Sequence, residues 1–195
     1  SCEPTEAPTR RVYCEDALPW LACHAPLEGC SLITSLPDVS GLAGATLASW
    51  RSWFIDAAVK VLDATPEAGV SIFYQTDIKR QGTWVDKSFL CHLAAEQAGA
   101  QLLWHKIICR RPAGQISFGR PAYSHMLCYS RGVRDCASRS YADVLPQTGT
   151  MTWSQAMGVE ACKLACCYVL SHTQTRTVVD PFCGLGTVLA VANNL

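Results

Sequence analysis

The sequence has few charged residues and no net charge. Only 16% of its 195 residues are charged, and 16 lysines and arginines balance 16 aspartates and glutamates. With 49% apolar residues, the composition fits a compact globular protein and argues against disorder. The neutral total neither favours nor excludes nucleic-acid binding, because such binding depends on local basic patches rather than on net charge.

Long apolar runs and paired cysteine motifs are also missing. No run approaches the roughly 18 apolar residues that cross a bilayer, so we expect no membrane contact. The twelve cysteines form no Cys-x-x-Cys pair, which argues against a zinc ribbon, and we predict no bound metal. We expect reduced, mostly buried thiols in a soluble intracellular protein, either cytoplasmic or nuclear.

Strand-like and helix-like segments alternate along the chain. Such alternation predicts an α/β fold with a largely parallel sheet and helices on both faces. We expect residues 1–10 to form a flexible arm and residues 11–195 to form one domain. A short strand followed by a helix is predicted over 11–26. Further strands are predicted over 31–34, 69–77, 101–111, 122–131 and 176–182, and further helices over 47–65, 84–100 and 153–172.

The stretch TVVDPFCGLGT, residues 177–187, is the most specific motif. It predicts a short buried strand with Asp180 at its carboxyl end, followed by two glycines that allow a sharp turn. Ligands of open α/β sheets bind beyond the carboxyl ends of strands. A third glycine and a Gly-Lys-Ser/Thr sequence are both missing, which argues against a dinucleotide fingerprint and a phosphate loop. The carboxylate instead suits a ligand with a cationic group.

The segment DPFCGLGT resembles the first motif of the S-adenosylmethionine-dependent methyltransferases that methylate amino groups of DNA and RNA. Its late position resembles their circularly permuted β-type group. The resemblance implies a Rossmann-like class I fold in permuted order, covering residues 11–195 and continuing beyond Leu195. It also implies S-adenosylmethionine as cofactor and S-adenosylhomocysteine as product. The implied cofactor-binding residues are Asp180, Pro181, Phe182, Cys183, Gly184, Gly186, Thr187, Asp16, Met157 and Gly158.

The catalytic motif of this family, Asp/Asn/Ser-Pro-Pro-aromatic, corresponds to Ser35-Leu36-Pro37-Asp38. Aspartate here replaces the aromatic ring, and a carboxylate cannot stack on a base, a contact that contributes about 1–3 kcal/mol. The resemblance implies that Ser35, Pro37 and Asp38 are catalytic. Asp38 would act as a general base or bind the substrate, with Ser35 orienting it. The alternative is a turn capped by Ser35 with a solvated Asp38.

Basic residues are concentrated in the middle of the chain and are interleaved with aromatic ones. This mixture suits a phosphate backbone and stacked bases, and the alternative is a solvated basic face. Tyr74 is a candidate for the stacking ring that the altered motif lacks. The predicted substrate-binding residues are Tyr74, Lys106, Arg110, Arg111 and Arg120.

Together these features predict an enzyme that moves the methyl group of S-adenosylmethionine in line to a base nitrogen of nucleic acid. RNA, such as tRNA or rRNA, is slightly favoured over DNA, because the catalytic motif is altered and no long insertion for reading DNA is evident. One alternative is a degenerate methyltransferase fold that acts as a scaffold subunit. Another is a methyltransferase of a small molecule or a protein. The oligomeric state, monomer or homodimer, stays open.

Overall fold

The computed structural model describes residues 8–136, 141–153 and 156–195. Most of the predicted arm, and residues 154 and 155 of the last predicted helix, therefore lie outside the described residues. The helices are α1 (Ala17–His24), α2 (Leu47–Ala64), α3 (Lys87–Gln97), α4 (Val159–His172) and α5 (Thr187–Ala192). The strands are β1 (Cys30–Thr34), β2 (Ser71–Gln75), β3 (Ile78–Arg80), β4 (Thr83–Val85), β5 (Gln101–Cys109), β6 (Tyr123–Ser130), β7 (Val144–Leu145) and β8 (Thr177–Val179).

Six strands form one sheet in the order β7-β5-β6-β2-β1-β8, while β3 and β4 form a separate hairpin. β1 pairs in parallel with both β2 and β8, and β7 pairs in parallel with β5. β6 runs antiparallel to both of its neighbours, β2 and β5. All strands of the sheet except β6 therefore point the same way, which confirms the mostly parallel α/β sheet. The pairing of β1 with β8 joins segments from opposite ends of the chain.

Helices cover both faces of the sheet, as predicted. On one face α1, α2 and α3 bury large side chains such as Trp50 and Phe54 against Phe73 of β2. On the other face α4 and α5 pack against neighbouring strand positions that include Ile72 and Tyr74. Because successive strand side chains point to opposite faces, the same short strand supports both cores.

Three local predictions were wrong. Residues 11–14 form no strand, and only the helix that follows them is present. The helix predicted from residue 84 begins at Lys87, because Thr83–Val85 pairs with Ile78–Arg80 and Asp86 then caps α3 by accepting the Phe89 N–H at 3.0 Å. The helix predicted over 153–172 begins at Val159.

No described helix combines the length and the apolar character that a membrane span requires. All the described cysteines carry free thiols. Of these described cysteines only Cys91, Cys128, Cys162 and Cys166 are buried, so the prediction that most thiols are buried was wrong.

Phe54 offers a test of the core assignment, because its side chain is fully buried and its ring lies 5.3 Å from that of Trp50. Replacing Phe54 by alanine leaves a cavity, so we expect the free energy of unfolding to fall by about 3–5 kcal/mol. Phe118, which is 93% exposed, provides the matched control. Phe118→Ala should change this free energy by less than about 0.5 kcal/mol in the same denaturant titration. Equal losses in the two variants would contradict the assigned core.

Candidate active site

A cleft of about 500 Å³ opens at the carboxyl ends of the parallel strands β8, β1 and β2. It is lined by residues 35–38, which follow β1, and by residues of the glycine loop, which follows β8. These two motifs are almost at opposite ends of the sequence. The parallel pairing of β1 with β8 brings them to the same edge of the sheet.

Asp180 anchors the glycine loop at the end of β8. Its Oδ1 accepts a hydrogen bond from the Thr34 hydroxyl at 2.6 Å and another from the Phe182 N–H at 3.2 Å. Burial raises the pKa of the Asp180 carboxyl to about 6, and the two hydrogen bonds oppose this rise. Among the described residues, no side chain or amide donates to its Oδ2. One carboxylate oxygen is therefore fixed by the protein while the other remains available to a cationic ligand.

Two glycines set the shape of the loop itself. Gly184 and Gly186 have φ angles of 52° and 76°, in the left-handed region that side chains other than glycine rarely adopt. A Cβ atom added at Gly184 would lie 3.1 Å from the ring of Trp153. Trp153 therefore packs directly against the loop and lines the cleft, a role that its polar sequence neighbourhood did not reveal.

The Asp38 carboxylate is held between two cationic side chains. Lys87 Nζ donates to Oδ1, and Arg120 Nη2 donates to Oδ2 at 2.8 Å. The Lys87 side chain is only 2% exposed, and its burial lowers the pKa of the ammonium group although Asp38 acts in the opposite direction. Asp38 is thus neither solvated nor unpaired, and the alternative of a solvated Asp38 was wrong.

The other two residues of the altered motif differ in what they offer a ligand. The Pro37 carbonyl already accepts a hydrogen bond from Trp50 Nε1 at 3.2 Å. Ser35 lines the cleft, and within the described part of the chain its hydroxyl has no hydrogen-bond partner. The Ser35 hydroxyl is therefore available to a substrate, and its predicted role in orienting that substrate stays a prediction.

Most of the remaining predicted cofactor residues line the cleft, namely Pro181, Phe182, Cys183, Thr187 and Met157. Asp16 does not, because its carboxylate caps α1 by accepting the Leu18 N–H at 3.1 Å, and Glu15 lines the cleft instead. Gly158 is also absent from the wall of the cleft. A Cβ atom there would lie 2.1 Å from the Thr148 carbonyl oxygen, so its small size serves backbone packing rather than the approach of a cofactor.

The predicted substrate residues divide into two groups. Arg110 and Arg120 line the cleft, whereas Lys106 and Arg111 do not. Lys106 is buried, and its Nζ donates to the Ala142 carbonyl at 2.8 Å. Tyr74 contributes to the wall, but it is only 4% exposed and its hydroxyl lies 3.3 Å from Thr148 Oγ1. Its ring belongs to the core and presents almost no face for stacking.

Gln75 is a lining residue that the sequence did not mark. It is fully buried at the end of β2, and neither atom of its amide has a hydrogen-bond partner among the described residues. Buried polar groups are almost always paired, so an unpaired amide at the wall of a cleft indicates a place where water or a ligand binds. An isolated glutamine in a strand carries no sequence signal of this kind.

No protein-family model matches the sequence, and no curated protein matches it. Solved structures do match its fold. The cytosine-N4-specific PvuII DNA methyltransferase aligns with a TM-score of 0.68 and 16% identity, over 93% of this chain and 77% of that one. TTHA0409 from Thermus thermophilus, described as a DNA modification methylase and complexed with S-adenosyl-L-methionine, aligns with a TM-score of 0.64 and 16% identity, over 90% and 81%. The M1.HpyAVI complex with S-adenosylmethionine aligns with a TM-score of 0.59 and 11% identity, over 93% of this chain and 86% of that one. The chain therefore has the class I methyltransferase fold that these proteins share, and its glycine loop connects β8 to α5.

Proposed function

We propose that the chain is an S-adenosylmethionine-dependent methyltransferase that methylates an amino nitrogen of a nucleic-acid base. The observation that carries this proposal is that the glycine loop and the Ser35–Asp38 segment line one cleft. Two of the similar structures are complexes with S-adenosylmethionine, and a third is named as a cytosine-N4-specific DNA methyltransferase. All lining residues of the cleft fall within 11–195, which supports treating this range as one catalytic domain.

The glycine loop fits the amino-acid end of S-adenosylmethionine. The Asp180 oxygen that has no partner among the described residues is suited to an ammonium group, and the rings of Phe182 and Trp153 supply apolar walls. When bound, this cofactor supplies a methyl group on a positively charged sulfur. Glu15 adds a second carboxylate to the same cleft and is suited to the hydroxyl groups of a ribose.

The residues after β1 form the acceptor side of the proposed site. The free Ser35 hydroxyl can hold an acceptor amino group and orient it, and positioning of this kind is the main contribution that such a transfer requires. Each Asp38 oxygen accepts one hydrogen bond from a cation and keeps a lone pair for that group, and departure of one cation would make Asp38 a stronger base. Arg120 is the mobile candidate, since its side chain is 38% exposed whereas that of Lys87 is 2% exposed.

Arginines at the cleft support a polyanionic acceptor. Arg110 and Arg120 line its wall, and Lys79 of the hairpin lies 5.6 Å from the centre of the exposed Trp84 ring. Cations next to aromatic rings suit a phosphate backbone and stacked bases. The expected preference for RNA gains no support from the similar structures, of which two are named for DNA. We therefore propose DNA as the first substrate to test.

A scaffold subunit remains a second candidate, and the acceptor side provides the observation that favours it. Both oxygens of Asp38 are engaged by cations, and the Pro37 carbonyl is engaged by Trp50. A fold with a filled acceptor side could bind the cofactor without transferring its methyl group. The two candidates agree on cofactor binding and differ on transfer.

Calorimetry with S-adenosylmethionine and a tritiated-methyl transfer assay separate these candidates. We expect one cofactor to bind per chain and label to enter DNA more than RNA, with none entering protein. Failure to bind the cofactor would overturn the proposed function. Binding without transfer to any acceptor would favour the scaffold, and a larger transfer to RNA would restore the RNA preference.

The Asp180 carboxylate makes cofactor affinity depend on pH. Only its ionised form attracts an ammonium group, so affinity should fall as the pH drops through about 6, by up to about tenfold per pH unit. Asp180→Asn keeps an oxygen for the Thr34 hydroxyl and the Phe182 N–H. It should bind the cofactor about 10–100-fold more weakly, without this pH dependence. Calorimetric titrations at pH values from about 5 to about 8, a range that includes this pKa, measure the affinity and its pH dependence.

The stability of the free protein should change with pH in the opposite direction to its affinity for the cofactor. The folded pKa of Asp180 exceeds its ordinary value of 3.8, so ionisation of this group lowers the free energy of unfolding as the pH rises from 3.8 to about 6. Asp56→Asn, on an exposed pair with Lys60, is the matched control and should alter neither property. An Asp180→Asn variant with unchanged affinity and an unchanged pH profile would remove the assigned role.

Asp38 can be tested for a role in transfer separately from its role in stability. Asp38→Asn should lower the methyl-transfer rate by about 100-fold or more while cofactor affinity stays within about twofold. It also leaves the buried Lys87 ammonium without a counter-charge, which should destabilise the fold by about 3–5 kcal/mol. The double variant Asp38→Asn/Lys87→Met should regain much of this stability but no activity. Recovery of activity in the double variant would show that Asp38 has only a structural role.

A further inference from the structure

A cluster of carboxylates and histidines lies at the base of the β3–β4 hairpin, next to the cleft. Asp77 immediately precedes β3, Asp86 immediately follows β4, and His125 belongs to β6. One ligand atom from each of these residues lies within 4.8 Å of the other two. Asp77 and His125 are each 7% exposed, whereas Asp86 is open to solvent. Two strands and the start of a helix therefore converge on one point.

The two carboxylates face each other across the hairpin. Ile78 pairs with Val85, and Asp77 and Asp86 lie just outside this pair with carboxylate oxygens within 4.8 Å of each other. Like charges at this distance repel each other. One oxygen of each carboxylate is held by an amide of α3, since Asp77 Oδ1 accepts the Lys87 N–H at 2.9 Å and Asp86 Oδ1 accepts the Phe89 N–H at 3.0 Å. A cation between the remaining two oxygens would relieve the repulsion.

His125 completes the arrangement from the facing strand. Its Nε2 lies 3.1 Å from Asp77 Oδ2, and its Nδ1 lies 3.0 Å from Nε2 of His105. A histidine that ligates a metal through one ring nitrogen usually has the other held by a hydrogen bond, which fixes its tautomer and its orientation. The Nε2 atom of His105 is therefore in position to accept the Nδ1–H of His125.

We propose that Asp77, Asp86 and His125 bind one divalent transition-metal ion, for which Zn²⁺ is the best match, and that His105 is a positioning residue for His125. Two ligands on one tetrahedral zinc ion are separated by about 3.3 Å, close to the observed Asp77–His125 distance of 3.1 Å. An imidazole with two carboxylates suits zinc better than magnesium or calcium, which prefer oxygen ligands alone. Three protein ligands leave a fourth position for water.

Such an ion would join both ends of the hairpin to the sheet. Thr76 and Lys87, which are the neighbours of Asp77 and Asp86 in the sequence, both line the cleft. The ion would therefore fix the exposed Trp84 and Lys79 in one orientation beside the acceptor side. This inference depends on the cluster alone and not on the proposed methyl transfer.

The probe must distinguish metal binding at this cluster from metal binding by the cysteine thiols. Co²⁺ does so because its absorption spectrum contains a sulfur-to-cobalt charge-transfer band only when thiolates bind it. The full chain is treated with a chelator, dialysed and titrated with Co²⁺ while its absorption spectrum is recorded. We expect one equivalent to bind with the visible bands of nitrogen and oxygen ligands, without the charge-transfer band. Zn²⁺ should displace the cobalt and raise the melting temperature, and Mg²⁺ should do neither.

Three variants and a control make the assignment specific. Asp86→Asn removes a charge but keeps a good helix cap, so it should fold normally and bind Co²⁺ more than about 100-fold more weakly. His125→Gln should behave in the same way. His105→Gln, which alters only the support, should weaken binding by about 10–100-fold. Asp56→Asn removes an exposed acid on α2 and should leave binding unchanged.

Several results would overturn the proposal. They are the absence of stoichiometric binding to the wild-type chain, a thiolate charge-transfer band, and equal binding by Asp86→Asn and the wild type. Each of them would mean that the cluster is only a hydrogen-bonded network that supports the hairpin.

Discussion

The parallel pairing of β1 with β8 is the constraint on which the candidate site depends. It sets Leu32 beside Val179, and so places the Thr34 hydroxyl 2.6 Å from Asp180 Oδ1 just beyond the two strands. That hydrogen bond connects the carboxyl end of β1 to the start of the glycine loop. The residues that follow β1 form the proposed acceptor side. Without this register the two motifs would not line one cleft.

Lys87 has a comparable role on the acceptor side. Its ammonium group reaches Asp38 at the cleft, while its backbone N–H donates to Asp77 at the base of the hairpin. One residue at the start of α3 thus connects the Ser35–Asp38 segment with the cluster that we propose as a metal site. Burial of a charged group is unfavourable unless it is paired, so Asp38 is a structural requirement for this connection.

The sequence predicted those parts of the fold that local patterns determine. Helical spacing located α2, alternation of strand and helix identified the sheet, and Asp180 with the two glycines marked the end of β8. The same reasoning failed where a partner lies far along the chain. The sequence neighbours of Asp38 do not indicate that it pairs with a buried lysine of α3. Those of Tyr74 do not indicate that its ring packs inside the core.

The hairpin illustrates the same limit at short range. Trp84 and Val85 resemble the beginning of an apolar helix face, and only their pairing with Lys79 and Ile78 shows that they form a strand. The meeting of Asp77, Asp86 and His125 could not be predicted either, because His125 comes from a strand whose position depends on the whole sheet. The sharp turn of the glycine loop was predictable because the residues that form it are contiguous in the sequence.

The ion pair between Lys87 and Asp38 also constrains how this sequence can change. The family that the glycine loop resembles carries an aromatic residue where Asp38 stands. Introducing that ring alone would leave the Lys87 ammonium buried and unpaired, while replacing Lys87 alone would leave Asp38 with only Arg120. The cost of introducing the aromatic ring therefore depends on whether Lys87 changes as well, so the two positions are epistatic.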